Sequence, residues 1–223
     1  MKARSVRGLA AGLFLLMVWL ALGEEVPALA TDPDVDLGLW FPFNPANSTF
    51  SSNYATCAAV GRDGRVWVGT QGQGLAVYDG LFWTWYTQAS TGNGLASDNV
   101  LSIAVDGSGV WVGTNGAGVS HLVPSSGQWT TFNTVNSSLP HNRVRAIHLE
   151  TPAGGYPSQF FATDGGIAQH FWDGSQHHWT VIHTGGPPGT SLLHNTVYDL
   201  GGSVGGTFWV VTAGGVNKVV QGA

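Results

Sequence analysis

Charge is scarce in this chain. Of 223 residues only 9 % are Asp, Glu, Lys or Arg, against about a quarter in an ordinary globular protein. The net charge is −5, and nowhere do Lys and Arg cluster into a stripe. Phosphate-backbone binding needs such clusters, so nucleic acid is not an expected partner. Disorder is also excluded, because it goes with many charges and few aromatics, and here 11 % of residues are aromatic.

There is one cysteine, Cys57, so no intramolecular disulfide can form. An exported domain of this kind must be held by its core alone. Cys57 stands in an apolar strand pattern with no His or Cys beside it. It reads as a small core residue and not as a nucleophile. Glutamate is limited to Glu24, Glu25 and Glu150. A two-carboxylate glycosidase would have to use Asp residues, most of which sit in turns. The one Gly-x-Ser-x-Gly string, Gly201 to Gly205, lies in a glycine-rich turn of the fourth repeat and not in a strand-to-helix elbow, and His-Glu-x-x-His does not occur. The balance is against an enzyme, and no cofactor is expected.

Long apolar runs are also missing. The longest, Gly8 to Leu22, has 15 residues, short of the roughly 20 that span a bilayer. Lys2, Arg4 and Arg7 precede it, and Ala28-Leu29-Ala30 follows. This is the pattern of a secretory signal peptide over residues 1–30, cut after Ala30, with Gly23 as the second choice. An uncleaved membrane anchor is the alternative, and membrane contact is expected only in that case. Either way residues 31–223 are expected outside the cytoplasm, periplasmic or extracellular.

What the chain has in abundance is glycine, at 33 residues, and tryptophan, at 10. These fall into a repeat. "VWVGTQGQGL" from Val66 returns as "VWVGTNGAGV" from Val110. Looser copies follow, giving repeats over about 55–86, 99–132, 142–182 and 195–223. The aromatic positions align as Trp67, Trp111, Phe161 and Trp209, spaced 44, 50 and 48 residues apart. Each unit reads as four short strands with Asp-Gly or Gly-rich turns at the positions that need φ > 0. Four strands repeated every 40 to 50 residues are the signature of a β-propeller blade. The expected fold is therefore all-β: a propeller of about four antiparallel four-stranded blades over residues 31–223. Trp67, Trp111 and Trp209 are expected to be buried between blades.

Residues 39–43 resemble the outer strands that start at Trp83, Trp129 and Trp179. The last repeat stops where its own outer strand should begin. The N-terminal segment Trp40 to Phe43 is therefore expected to complete the last blade and close the ring.

The glycine loops are not phosphate cradles. They lack the Lys and the following helix that such loops require. Thr70, Thr114, Thr163 and Thr212 are expected to bond locally inside each hairpin. The inter-blade loops lie on the same face as the glycine loops, around the mouth of the ring. There Asn53, Asn99, Asn142 and Asn195 precede successive inner strands, suited to folding back on nearby backbone. Asp98, His141 and His194 each stand one residue earlier. Asp98, Asn99, His141, Asn142, His194 and Asn195 are the candidate ligand contacts. Asp98, His141 and His194 together would also be a sensible metal set if they converged. His177 and His178 sit in a hairpin and face opposite ways, so they read as surface residues. Trp85, Trp172 and Tyr156 fall off the repeat template and are candidates for stacking on a sugar.

"NVLSIAVDGSGVWVGTNGAGVSHL", from Asn99, resembles the two-component regulator propeller repeat. That repeat has an Asn-x-Val start, then Asp-x-x-Gly-x-x-Trp-Val-Gly-Thr and a glycine loop. The first repeat matches from Asp63 to Leu75. The third and fourth depart, with Phe161-Ala-Thr and Trp209-Val-Val-Thr. The resemblance implies an extracytoplasmic sensing or binding module, with carbohydrate or peptide as ligand. Alternatives are a metal-assisted propeller enzyme of the streptogramin-lyase kind, a protein-binding or self-associating scaffold, and a piece of a larger propeller.

Overall fold

A computed structural model describes residues 41–151, 155–187, 189, 191–202 and 207–220. The expected signal peptide, residues 1–30, lies outside them. Among the described residues no helix is long and apolar enough to cross a membrane.

Among the described residues fifteen strands form four antiparallel sheets in chain order. Blade 1 holds β1 (Ala55–Val60), β2 (Val66–Thr70), β3 (Leu75–Tyr78) and β4 (Trp83–Tyr86). Blade 2 holds β5 (Val100–Val105), β6 (Val110–Thr114), β7 (Val119–Val123) and β8 (Gln128–Phe132). Blade 3 holds β9 (Val144–Glu150), β10 (Ser158–Thr163), β11 (Gly166–Trp172) and β12 (His177–Ile182). Blade 4 holds β13 (Val197–Gly201), β14 (Thr207–Thr212) and β15 (Gly215–Val220). The first strands of successive blades pack side by side. Connections alternate between two ends of the sheets. The glycine loops and the inter-blade linkers share one end, the loop face. The tight hairpins share the other.

The residues make this fold for local reasons. Strand alternation gives each blade two apolar faces. In β6, Trp111 pairs across with Ala104 and His121, while Val112 pairs with Ile103 and Ser120. Trp111 then packs with Phe161 and Ala168 of blade 3, and Val112 packs with Trp67 and Leu75 of blade 1. One face therefore meets the next blade and the other meets the previous one. Linker residues Leu95, Leu139 and Leu192 plug the three seams. Phe50 takes the same place against Val68 and Ala76 of blade 1.

Thr70, Thr114, Thr163 and Thr212 bond as expected, each hydroxyl donating to a carbonyl of its own glycine loop. Gly118 shows why glycine is needed there. Its φ is +93°, and a Cβ would stand 2.1 Å from the Phe132 carbonyl oxygen. The Gly72 and Gly74 amides donate to Asp98 O, and the Gly118 amide donates to Asn142 O. These amides tie one blade to the linker of the next, so they are not available to a phosphate.

Three expectations need correction. Counting back from the four equivalent threonines, the Trp position of blade 3 is Phe160, not Phe161. Phe160 packs toward blade 4, as Trp111 does toward blade 3, while Phe161 faces blade 2. Second, Trp209 is not buried. It is 49 % exposed, against 2 % for Trp67 and 3 % for Trp111, and no blade among the described residues covers it. Third, Phe41 to Phe43 form no strand, and the last sheet has three strands among the described residues. Phe43 instead rests its ring on Tyr78 and Trp83 of blade 1, at 5.3 and 5.7 Å. Trp40 lies outside the described residues. Among those residues the four blades form an open arc.

Candidate functional site

The loop face carries the six residues expected to touch a ligand, and the backbone sorts them differently from the sequence. Asp98 Oδ1 accepts from the Gln88 amide at 2.7 Å. Asn142 Oδ1 accepts from the Thr134 amide at 2.8 Å, and Asn195 Oδ1 from the Thr184 amide at 2.7 Å. Asp98, Asn142 and Asn195 are therefore equivalents, each holding the start of its linker. His141 Nδ1 accepts from the Arg143 amide at 3.0 Å and His194 Nδ1 from the Thr196 amide at 2.9 Å. Ser97 and Ser52 do the same with their hydroxyls toward Asn99 and Tyr54. His141 and His194 thus match Ser97, not Asp98. The neighbouring Asp and Asn in blade 2 hide a shift of one residue.

Asn99 is placed by main-chain bonds, its carbonyl accepting from the Asn115 amide. Asp98, His141 and His194 are not gathered into a metal site. Among the described residues no three His, Cys, Asp or Glu side chains stand close enough to hold an ion. His141 and His194 remain exposed. With Nδ1 accepting, the neutral rings carry their proton on Nε2.

The sequence missed the side chains beside them. Each inner strand bears a register shift at its loop-face end, seen between Ala55 and Cys57, Val100 and Ser102, and Val197 and Asp199. In blade 3 the shift leaves Arg145 unpaired between Val144 and Ala146. The extra residues are Thr56, Leu101, Arg145 and Tyr198. A bulge takes its residue out of the alternation between faces and re-aims it. Simple period-2 reading cannot see this.

In blades 3 and 4 these bulges build a polar and aromatic cluster. Arg145 Nε donates to Asp164 Oδ1 at 2.6 Å. The Arg145 guanidinium lies 5.4 Å over the Tyr198 ring, which is 48 % exposed. Arg143 reaches Asp164 Oδ2 at 3.9 Å, and its buried Nε has no hydrogen-bond partner among the described residues. An ion pair, a spare buried donor and an open aromatic face stand here, on the strands that follow His141 and His194.

The off-template aromatics go elsewhere. Trp85 packs on Phe50 and donates from Nε1 to Thr49 O, so it is structural. Tyr156 stacks on Phe171, and Trp172 lies against His177. Both belong to the hairpin end. His177 is exposed, as expected, but it is not isolated. Its Nδ1 is 2.8 Å from Nε2 of His170, a buried ring at the seam of blades 2 and 3. An open groove of about 500 Å³ also lies at the hairpin end of blades 1 and 2, lined by Arg62, Asp63, Asp106 and Ser108. Cys57 is half-buried, and burial pushes its thiol pKa up, which keeps it unreactive.

Four consecutive blades with these loops define a β-propeller segment. The chain carries the two-component regulator propeller repeat, matched over residues 49–72 and 94–116. Among curated proteins none matches the chain. Solved structures do. The extracellular domain of the proposed hybrid two-component system BT4673 of B. thetaiotaomicron matches at TM-score 0.61 and 19 % identity, over 81 % of this chain and 23 % of that one. That of BT3049 from the same organism matches at 0.60 and 22 %, over 74 % and 21 %. PorZ, a surface component of the type-IX secretion system of Porphyromonas gingivalis, matches at 0.52 and 18 %, over 74 % and 24 %. At these identities the likeness is one of fold. The chain spans less than a quarter of each of these proteins.

Proposed function

We propose that this chain is an exported ligand-binding propeller segment of the sensing kind, and that its ligand is a carbohydrate held at the loop face of blades 3 and 4. The observation that carries this is the Arg145–Asp164 pair beside the half-exposed Tyr198 ring. Sugars present apolar ring faces and paired hydroxyls. An open aromatic ring takes the first, and the guanidinium and carboxylate of an ion pair take the second. His141 and His194 add Nε2 donors at equivalent places on successive blades. The repeat, and the extracellular placement of the B. thetaiotaomicron domains it resembles in fold, support an exported setting.

The test is binding of the full chain to arrayed glucan, mannan and pectin oligosaccharides, followed by calorimetry on any that bind. Tyr198→Ala should weaken a true ligand by roughly 10-fold or more, the scale of a lost stacking contact in a small interface. Binding that ignores both Tyr198→Ala and Arg145→Ala would sink the assignment of this site. No binding to any sugar, with binding to a peptide library, would move the reading to a peptide ligand.

A further inference from the structure

The indoles of Trp67 and Trp111 hold equivalent places and lie alike. Trp67 stacks on Tyr86 at 6.1 Å and 24°, and Trp111 on Phe132 at 6.2 Å and 22°. Their N–H groups meet different surroundings. Trp111 Nε1 donates to Asp106 Oδ2 at 3.2 Å, and Gln159 of blade 3 donates to the same oxygen at 3.3 Å. Blade 1 has Gly61 where blade 2 has Asp106. Each follows the last valine of its inner strand, and each amide donates across the hairpin, to Arg65 O and Gly109 O. Blade 2 in turn has Val110 where blade 3 has Gln159, one residue before Trp111 and Phe160. Both side chains that build the Trp111 acceptor are thus missing from the seam of blades 1 and 2.

Trp67 is 2 % exposed, yet among the described residues its N–H has no acceptor. A buried donor without a partner is costly. The Trp83 N–H is also unpaired, but it is sealed from solvent. That of Trp67 is not sealed, and Trp67 forms part of the wall of the open groove at the hairpin end of blades 1 and 2. The groove, at about 500 Å³, has the size of a small-molecule site.

The lining says what such a molecule would be. Val110, Val123 and Pro124 give an apolar wall. Both carboxylates at the groove are engaged. Asp106 Oδ1 accepts from the Ser108 and Gly109 amides, and its Oδ2 is held as above. Asp63 leans over Gly61, with Oδ1 2.5 Å from where a Cβ would stand, but it accepts from the Arg65 amide at 3.1 Å and pairs with Arg65 Nε at 3.6 Å. Arg62 is exposed, lines the groove and has no ion pair among the described residues. Two donors are therefore unused, one of them charged. We propose that this groove binds a small organic carboxylate. One of its oxygens takes the place at Trp67 Nε1 that Asp106 Oδ2 holds at Trp111. Arg62 is its counter-charge, and its apolar body lies against Val123 and Pro124. The site is at the opposite end of the sheets from the loop face and is independent of the sugar reading.

The probes are benzoate and hexanoate, with benzamide as the neutral counterpart of benzoate. The full chain, isotope-labelled, is followed by NMR through its indole N–H signals, and Trp67→Phe identifies the one to watch. Either acid should shift that signal saturably, with a dissociation constant on the order of 1 mM. Benzamide should bind at least about 10-fold more weakly, as a ligand without the charge does. Arg62→Gln, a change at an exposed position that leaves the fold intact, should weaken the acids by roughly 5-fold or more. No shift with either acid at about 10 mM, ten times such a constant, overturns the proposal. So does equal binding of benzamide, binding that Arg62→Gln leaves unchanged, or the same shift from sodium chloride at matched ionic strength.

Discussion

Gln159 Oε1 and His170 Nδ1 are 2.7 Å apart at the seam of blades 2 and 3, and this contact orders a chain of hydrogen bonds. Asp106 can only accept, so Gln159 Nε2 donates to its Oδ2 at 3.3 Å, beside the Trp111 indole at 3.2 Å. That orientation turns Gln159 Oε1 toward His170, whose Nδ1 must donate. His170 Nε2 then accepts from His177 Nδ1 at 2.8 Å. The network is satisfied with His170 neutral.

Burial, then the positive ends of His177, His121 and His178, push the His170 pKa down from 6.5 to about 3. Burial also lowers His121, against the pull of Asp106. Between pH 6.5 and 3 the unfolded chain binds a proton at His170 that the folded chain refuses. Stability is therefore full above pH 6.5 and is lost as pH falls toward 3, at up to about 1.4 kcal/mol per pH unit from this one group. Urea melts at several pH values check this. His170→Gln should flatten the dependence, and an unchanged slope would count against the network.

The seam tryptophans should differ sharply. Trp111→Ala empties a buried seam and should cost about 3–5 kcal/mol. Trp209→Ala should cost about 0.5 kcal/mol or less, as exposed positions do. Equal losses in denaturant titrations would show that Trp209 is covered within one chain.

The glycine loops give a paired test. Gly116→Ala meets only backbone strain, with φ at +103° and open space around it. It should cost about 1 kcal/mol. Gly118→Ala adds a Cβ 2.1 Å from the Phe132 carbonyl, backbone that cannot step aside. Its loss should be clearly the larger in thermal melts, and the reverse order would put the loop geometry in question.

The blades were legible because their signals are local: turn glycines, the Thr that closes each loop, and alternating apolar strands. What failed depended on neighbours in space. Phe160 and Phe161 are both aromatic, and only pairing to the Thr163 position separates them. Asp98 aligns in sequence with His141 and His194 as readily as with Asn142 and Asn195, because "DN" fits in two ways. Trp209 looked like Trp67 and Trp111 because burial belongs to the next blade and not to the strand. Arg145 and Tyr198 are not legible in the sequence, because a bulge breaks the alternation that points to side-chain direction. The His170–Gln159 contact joins adjacent strands of one blade, but its orientation comes from Asp106 of another.

The proposed site is tested most directly by hydrogen–deuterium exchange of the full chain with and without the oligosaccharide that the array selects. The expected result is slowed exchange at residues 141–145, 164–166 and 194–198, and little change at 61–65 and 106–109. Protection confined to that hairpin end, or none on the loop face at saturation, would contradict a carbohydrate site at Arg145, Asp164 and Tyr198.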